Sequence, residues 1–378
     1  MKSQLGQFFT TNADYILCGL EGFVENKVIT DPFAGNQDLF VWAKKHRCKK
    51  IIGFDCDKKY VDNKKVFYND SINNLKEYKF VLTNPPYLHK NKADNSTKTK
   101  FFSGIYASFE DLYQVSIYSI LNSEEGIVIV PLNFLSAENS QKIRNIFFEK
   151  FEIKKVNIFK HQVFQDTTYN VIAFYYKKKK SLCDKNQISA IIFPEKRRIK
   201  LIVEKRFGWQ MGGGFVSLVK NTKNDLEISR LTDSFLDVGE NKIRLALQNI
   251  KQRDLYRVGD ELKALLNKNI LLLRAIDSKN GKKIQLEDVR HYGVAGLIGK
   301  NTSRNMAHLI FGQEVAVNEQ EELMRQFNEL LNQNREKYFS FFLTNFRDNG
   351  RKRMSFDFAY KLLNYLYEQK HQRQSALF

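Results

Sequence analysis

The chain has 378 residues, 43% hydrophobic and 13% aromatic, which is material for two packed domains. Its formal net charge of +19 calls for a polyanionic partner, because such a surplus concentrates polyanions and supports phosphate contacts. The start MKSQLGQFFTTNADY has no signal-peptide run and no stretch is long enough to span a bilayer. Nucleic acid, not a membrane, is therefore the expected polyanion, and the cytoplasm the expected location.

In chain order, VITDPF, KIIGFD, FVLTNPP, GIVIVPL and NVIAFYY read as short buried strands. Between them DLYQVSIYSIL and SQKIRNIFFEKF read as helices. The alternation predicts an α/β domain, a mostly parallel sheet with helices on both faces. All five prolines lie in the first 194 residues, mostly where these strands end. A boundary is expected at Lys177-Lys178-Lys179-Lys180, separating residues 1–176 from 177–378. Residues 177–206 hold eleven basic and three acidic side chains. Beyond them come a flexible-looking MGGGF at 211–215, mixed helical segments and a helical close, FDFAYKLLNYLYEQK. Cys18, Cys48, Cys56 and Cys183 form no CxxC pair and the six histidines are scattered, so neither a disulfide framework nor a metal site is expected.

Asn84-Pro85-Pro86-Tyr87 stands directly after the apolar run FVLT, at the carboxyl end of a strand, where ligands bind in open α/β sheets. Its residue types suit one demand. The exocyclic amine of adenine is a poor nucleophile because its lone pair is delocalised into the ring. Two acceptors on its N–H bonds would favour the pyramidal geometry that frees the lone pair. The Asn84 side-chain oxygen can be one acceptor. The Pro85 carbonyl can be the other, held still by proline's fixed φ and its restraint on the preceding residue. Tyr87 offers a flat face for a base removed from the duplex.

NPPY in this setting resembles motif IV of the N6-adenine DNA methyltransferases, and the flanking motifs follow in the order of the gamma, TaqI-type class. Gly6-Gln7-Phe8-Phe9-Thr10 resembles its N-terminal motif. Asp31-Pro32-Phe33-Ala34-Gly35-Asn36 resembles motif I, with Gln37 where the family usually has a second glycine. Gly53-Phe54-Asp55-Cys56-Asp57 ends the second strand, and Asn69-Asp70-Ser71 resembles motif III. Asp111-Leu112-Tyr113-Gln114 resembles motif V, the segment from Gly126 to Leu135 motif VI, and Val163-Phe164-Gln165-Asp166 motif VIII.

The resemblance covers residues 4–176 and implies S-adenosylmethionine as cofactor. It implies Thr10, Asp31, Ala34, Gly35, Asp55, Cys56, Asp70 and Pro86 as cofactor-binding residues. Within that set Thr10 would meet the methionine end, Asp55 the ribose and Asp70 the adenine amino group. It implies Asn84, Pro85, Tyr87 and Phe164 as catalytic residues, Phe164 stacking on the second face of the flipped adenine. The second half would be a target-recognition domain for double-stranded DNA, with Lys196, Arg197, Arg198, Lys300, Arg304, Arg347, Arg351 and Arg353 as candidate contacts. A monomer working beside a separate cognate restriction endonuclease is the expected setting.

Two rival readings share the motif. One is an NPPY methyltransferase acting on RNA or on a protein glutamine, which would not need the basic second half. The other is an inactive DNA-binding subunit, which would be expected to have lost the residues just named.

Overall fold

A computed structural model describes residues 10–164, 170–278, 281–338, 343–345 and 351–375. They fall into two compact units, one running to Gly213 and the other starting at Gly214.

The first unit is built on a sheet of nine described strands. These are β1 (Val28–Asp31), β2 (Lys50–Asp55), β3 (Val66–Tyr68), β4 (Tyr78–Thr83), β5 (Ser123–Pro131), β6 (Phe151–Phe159), β7 (Val171–Lys178), β8 (Lys185–Phe193) and β9 (Arg197–Glu204). Their order is β3-β2-β1-β4-β5-β7-β6-β8-β9. From β3 to β5 every pair is parallel. β7 runs antiparallel between β5 and β6, β8 returns parallel to β6, and β9 pairs antiparallel with β8. The mostly parallel α/β sheet predicted from the apolar runs is present. Ile127 to Val130 and Val171 to Phe174 are fully buried, as strands covered on both faces must be. The helices are α1 (Ala13–Ile16), α2 (Asp38–Lys45), α3 (Asn95–Phe101), α4 (Leu112–Ser119), α5 (Asn133–Ser136) and α6 (Gln141–Lys150). Many of the phenylalanines are core. Phe134 stacks on Phe174 at 5.5 Å, with Phe147 edge-on to both.

The strand order reverses between β1 and β4, and such a switch point opens a crevice at the carboxyl ends of the strands. Because β1, β4, β5, β6 and β8 all run the same way, one sheet edge carries several connections. It holds the loop after Asp31, the NPPY segment, residues 160–164 and the Pro194–Lys196 turn.

The boundary expected at Lys177 is corrected. Lys177 and Lys178 end β7, and the sheet continues through β8 and β9 to a unit that closes near Gly213. Asn186, Ile188, Ala190 and Ile192 point alternately into the core, a period-two pattern that the neighbouring lysines obscured. Met211 of MGGGF is buried and α7 (Gly213–Asn221) begins within that run.

The second unit is α+β, not merely helical. One sheet orders β10 (Ser229–Arg230), β16 (Met306–Ile310), β13 (Leu271–Arg274) and β14 (Gln285–Asp288). A second orders β12 (Arg253–Val258), β11 (Asn241–Leu247) and β15 (Gly296–Ile298), and β17 (Thr344–Asn345) pairs with β18 (Lys352–Arg353). Besides α7, the helices are α8 (Asp260–Lys268), α9 (Val317–Tyr338) and α10 (Phe356–Ser375), the last being the expected helical close. Leu271, Leu273 and Leu309 pack with Leu323, Phe327 and Leu363. His308 is fully buried on the opposite face of this sheet, its β16 position paired with Leu272. One ring nitrogen bonds the Asn269 carbonyl at 2.8 Å and the other accepts from Leu297 N at 3.3 Å. Burial pushes its pKa down to about 4.

Candidate active site

The loop after β1 is shaped by bonds to its two neighbouring strands. The Asp31 carboxylate accepts from Phe33 N at 3.0 Å and from Thr83 Oγ1 at 2.6 Å, joining the ends of β1 and β4. It is 2% exposed, and burial pushes its pKa up to about 7. Ala34 N donates to Phe54 O, and Gly35 N donates to Asp55 Oδ2, both at 2.9 Å. Gly53 lets this loop lie directly on β2, since a Cβ there would come within 2.5 Å of Ala34 Cβ. Gln37, in the place of the usual glycine, has φ +65° and still follows a left-handed path into α2. A non-glycine residue there costs about 1–2 kcal/mol, so the loop course survives the departure.

Asp55 Oδ1 accepts from Asp57 N at 2.8 Å. Burial raises the Asp55 pKa against the pull of its two backbone bonds. Its oxygens retain lone pairs for ligand hydroxyls. Asp70 accepts from Ile72 N and Asn73 N and pairs with Lys100 at 3.1 Å. Burial there works to raise the pKa but is outweighed by Asn73 and Lys100, which hold the carboxyl below its ordinary value. Thr10 is buried, its N–H donating to Asp38 Oδ2 at 2.9 Å and its Oγ1 accepting from Asn84 Nδ2 at 3.1 Å.

These groups line one cleft of about 800 Å³, part of it open to solvent. All eight expected cofactor residues line it, namely Thr10, Asp31, Ala34, Gly35, Asp55, Cys56, Asp70 and Pro86, and so does Asn84. Asp38, Tyr60, Phe101 and Leu112 join them, along with Asn69 and Ser71 on either side of Asp70. Sequence reading quoted Asn69, Ser71 and Leu112 within its motifs without giving them a role, and missed Asp38, Tyr60 and Phe101. Asp38 could have been found from its place just after the glycine loop, whereas nothing in the sequence singles out Phe101. Leu112 reaches the cleft because the Asp111/Gln114 capping box starts α4 there. Burial pushes the Cys56 thiol up to about 11, so it is a neutral wall and not a nucleophile. Four carboxylates, Asp31, Asp38, Asp55 and Asp70, face this cleft, and no lysine or arginine is among its described lining residues.

Two expectations about aromatic faces are corrected. Tyr87 is 2% exposed, and its hydroxyl lies within hydrogen-bond reach of Asn84 Oδ1 and of the Ile129 carbonyl (3.0 Å), which share its one proton. Its ring meets Tyr113 edge-on at 6.5 Å. A buried phenol needs polar partners, and finding them has drawn the ring inward. Phe164 is likewise buried, at 4% exposure. Its segment is fixed by Asn12 Nδ2 donating to Val163 O and by Gln162 Nε2 donating to Phe164 O, both at 2.7 Å. Residues 6–9 and 165–169 and Arg347 lie outside the described residues.

The basic candidates divide between the units. Lys196, in the β8–β9 turn, and Arg197 and Arg198, which begin β9, are exposed. That turn belongs to the first unit and to the sheet edge that also carries Asn84, not to the second half as expected. In the second unit Lys300 and Arg304 stand on an exposed turn anchored by Arg230, which donates to Ser303 O (2.8 Å) and Asn301 O (3.2 Å). Arg304 lies near Arg353, whose pKa is lowered first by burial and then by that neighbouring charge. Arg351 is committed to the Asp277 carbonyl at 2.6 Å. Among the described residues no cluster of His, Cys, Asp or Glu could hold a metal, and no helix is long and apolar enough to cross a membrane.

An open, mostly parallel α/β sheet with a ligand cleft at its switch point places the first unit among Rossmann-like cofactor-binding folds. Residues 26–164 match the model of the Eco57I restriction-modification methylase family, a span that contains most of the cleft. No curated protein matches the chain. Solved structures of similar chain course include the M protein of the type I restriction enzyme EcoKI, 16% identical over 51% of this chain and 50% of that one, with a TM-score of 0.37. The type I restriction-modification methyltransferase subunit from Streptococcus thermophilus is 13% identical, over 56% and 60%, with a TM-score of 0.39. The type IIG restriction endonuclease BpuSI is 11% identical, over 90% and 55%, with a TM-score of 0.45. The chain thus spans between half and three fifths of the length of these structures.

Proposed function

We propose that this chain methylates N6 of adenine in double-stranded DNA, using S-adenosylmethionine, as the modification enzyme of a restriction-modification system. The observation that carries the reading is the charge of the cleft. In a chain of net charge +19, its lining residues include four carboxylates and, among those described, no cation. The cleft, with Lys100 offsetting Asp70 and Asp31 half protonated near neutral pH, stays net acidic through Asp38 and Asp55 and disfavours a phosphate-bearing nucleotide. It suits a nucleoside that carries an ammonium and a sulfonium, with ribose hydroxyls for Asp55 and an adenine amino group for Asp70. When bound, that cofactor supplies an electrophilic methyl group.

The chain's own residues do the rest. Asn84 and the Pro85 carbonyl would accept the two amine hydrogens, and this favours the pyramidal nitrogen. The surplus proton leaves after transfer. The target base must leave the duplex to reach them. The exposed Lys196, Arg197 and Arg198, on the same sheet edge as Asn84, suit the phosphates of that duplex. The second unit, with its basic 300–305 turn, would read the sequence, and a separate endonuclease would cut unmodified DNA.

The test is transfer of labelled methyl from S-adenosylmethionine to DNA, RNA and protein offered together, followed by nucleoside digestion. Label in N6-methyldeoxyadenosine supports the reading. Label in RNA or glutamine, or in no acceptor, contradicts it.

A further inference from the structure

We infer that the β11–β12 hairpin of the second unit enters the major groove of double-stranded DNA, its basic face on the phosphates and its tip on the base edges. The inference rests on the proposed reading for its partner and goes further in giving the readout to one element. Register divides the ribbon into two faces. Lys242 stands opposite Arg257 and Arg244 opposite Leu255, so these four side chains share one face. Leu245 and Val258, on the other, are fully buried against Leu262 and Leu266 of α8. On the first face Lys242, Arg244, Leu255 and Arg257 are all exposed. Arg257 has a carboxylate beside it, Glu240 at 3.5 Å, but that side chain is 93% exposed and such pairs hold weakly.

Charge on an edge strand can be a mere guard against pairing with another sheet, and β12 is an edge. A guard accounts for Arg257. It does not account for Arg244 on the inner strand β11, whose carbonyl already accepts from Ala295 N at 2.9 Å. Nor does it account for the tip, Gln248 to Gln252, which is polar yet rigid. Ile250 plugs it into a core with Leu272 and Val289. Gln248 N donates to Ile298 O at 2.7 Å, Lys251 N to Asn249 Oδ1 at 3.1 Å and Arg253 Nε to Ile250 O at 2.8 Å. Gln248, Lys251 and Gln252 are exposed. A glutamine amide matches adenine N6 and N7, and a lysine suits the acceptors of guanine. The DNA major groove, about 12 Å wide, admits a two-stranded ribbon, whereas the narrow major groove of duplex RNA does not. A tip fixed in advance loses little freedom on entering.

The test uses the full chain carrying Lys242→Gln, Arg244→Gln and Arg257→Gln together. Its binding to a mixed-sequence duplex of about thirty base pairs should show a log–log salt slope shallower by about 0.9 for each of three phosphates. Arg244→Lys with Arg257→Lys, which keeps the charge, should keep the wild-type slope. An unaltered slope in the first variant, or an equal loss in the second, overturns the basic face. A slope change of the same size on duplex RNA overturns the groove.

The tip has its own readout, selection from a random duplex library. Wild-type protein should enrich one short sequence. With Gln248→Ala and Gln252→Ala together, preference at one or more of its positions should fall by about 10- to 100-fold. An unchanged selected sequence overturns the assignment. Neither readout uses methyl transfer. A chain that methylates DNA but keeps slope and selection in these variants loses this inference alone. One that selects DNA through the hairpin but transfers no methyl loses the proposed function alone.

Discussion

Two stretches of one sheet edge carry opposite charge. At the switch point, Asp31, Asp38, Asp55 and Asp70 face a cleft with no described lysine or arginine. Farther along, the β8–β9 turn and the start of β9 expose Lys196, Arg197 and Arg198. The difference teaches that a net charge of +19 is a sum over separate tasks. The exposed cations speak for a polyanion outside the protein, while the cleft carboxylates speak for a cationic ligand within it. Substitutions on the two sides should therefore fail in different assays.

The largest effect is expected where the cleft opens. Asn84→Ala should slow single-turnover methylation by about 10²–10³-fold, the loss seen when one preorganised polar partner of a transition state is removed. Calorimetry should find cofactor and DNA affinities nearly intact. Weakened binding with normal chemistry would move Asn84 to the ligand-holding side of the comparison.

Asp31→Asn should weaken S-adenosylmethionine binding by about 10- to 100-fold, the worth of a charge-assisted bond, and leave DNA binding unchanged. It should also stabilise the cofactor-free protein at pH 8. Asp31's folded pKa lies above its ordinary value, so the native state holds this proton more tightly than the unfolded chain. That contribution is full below about pH 4 and is lost as pH rises through about 7. At pH 8 the wild type must keep a buried carboxylate that asparagine replaces, a difference of at most about 4 kcal/mol. Thermal melts of both proteins across this range check it, and equal melting at pH 8 would contradict it.

The second unit supplies a contrast in sign. His308 titrates below its ordinary value, so the unfolded chain binds its proton first. Stability should hold above about pH 6.5 and fall as the pH drops toward 4, by up to about 3 kcal/mol. His308→Gln should flatten that acid limb in urea titrations, whatever its effect at neutral pH.

On the basic side, replacing Lys196, Arg197 and Arg198 by Gln should flatten the salt dependence of DNA binding. The log–log slope should shrink by about 0.9 for each phosphate that the variant no longer neutralises. Cofactor affinity should not change. An unaltered slope would show these cations to be a charged guard on the edge strand β9. The smallest effect is expected for Gln37→Gly, which relieves a left-handed residue but loosens the unfolded chain. Stability should move by less than about 1 kcal/mol, read from denaturant midpoints.

Much of the cleft was legible because strands end in punctuated sequence. Asp55 lies twenty residues after Gly35 in the chain, and their bond is real (2.9 Å). Asp70 and the NPPY segment reach the same cleft because parallel strands deliver their carboxyl ends to one edge. What a motif cannot state is where a ring points. Tyr87 is turned inward by Ile129, 42 residues away in the chain, and Phe164 is buried at the entrance to β7. The lysines at 177–180 looked like a linker because their charge is plain, whereas the alternation of β8 that continues the sheet is subtle. In the second unit the strands are two to seven residues long and β12 shows charged residues on its exposed face; the apolar run 270–273, which supplies most of β13, is easily passed over because it is short and set among helical segments.

The central claim is tested most directly by single-molecule sequencing of DNA from cells expressing either the chain or its Asn84→Ala variant. The account predicts N6-methyladenine at one recurring sequence with the wild type and none with the variant. Unmodified adenine in both, or a mark on cytosine, would contradict it.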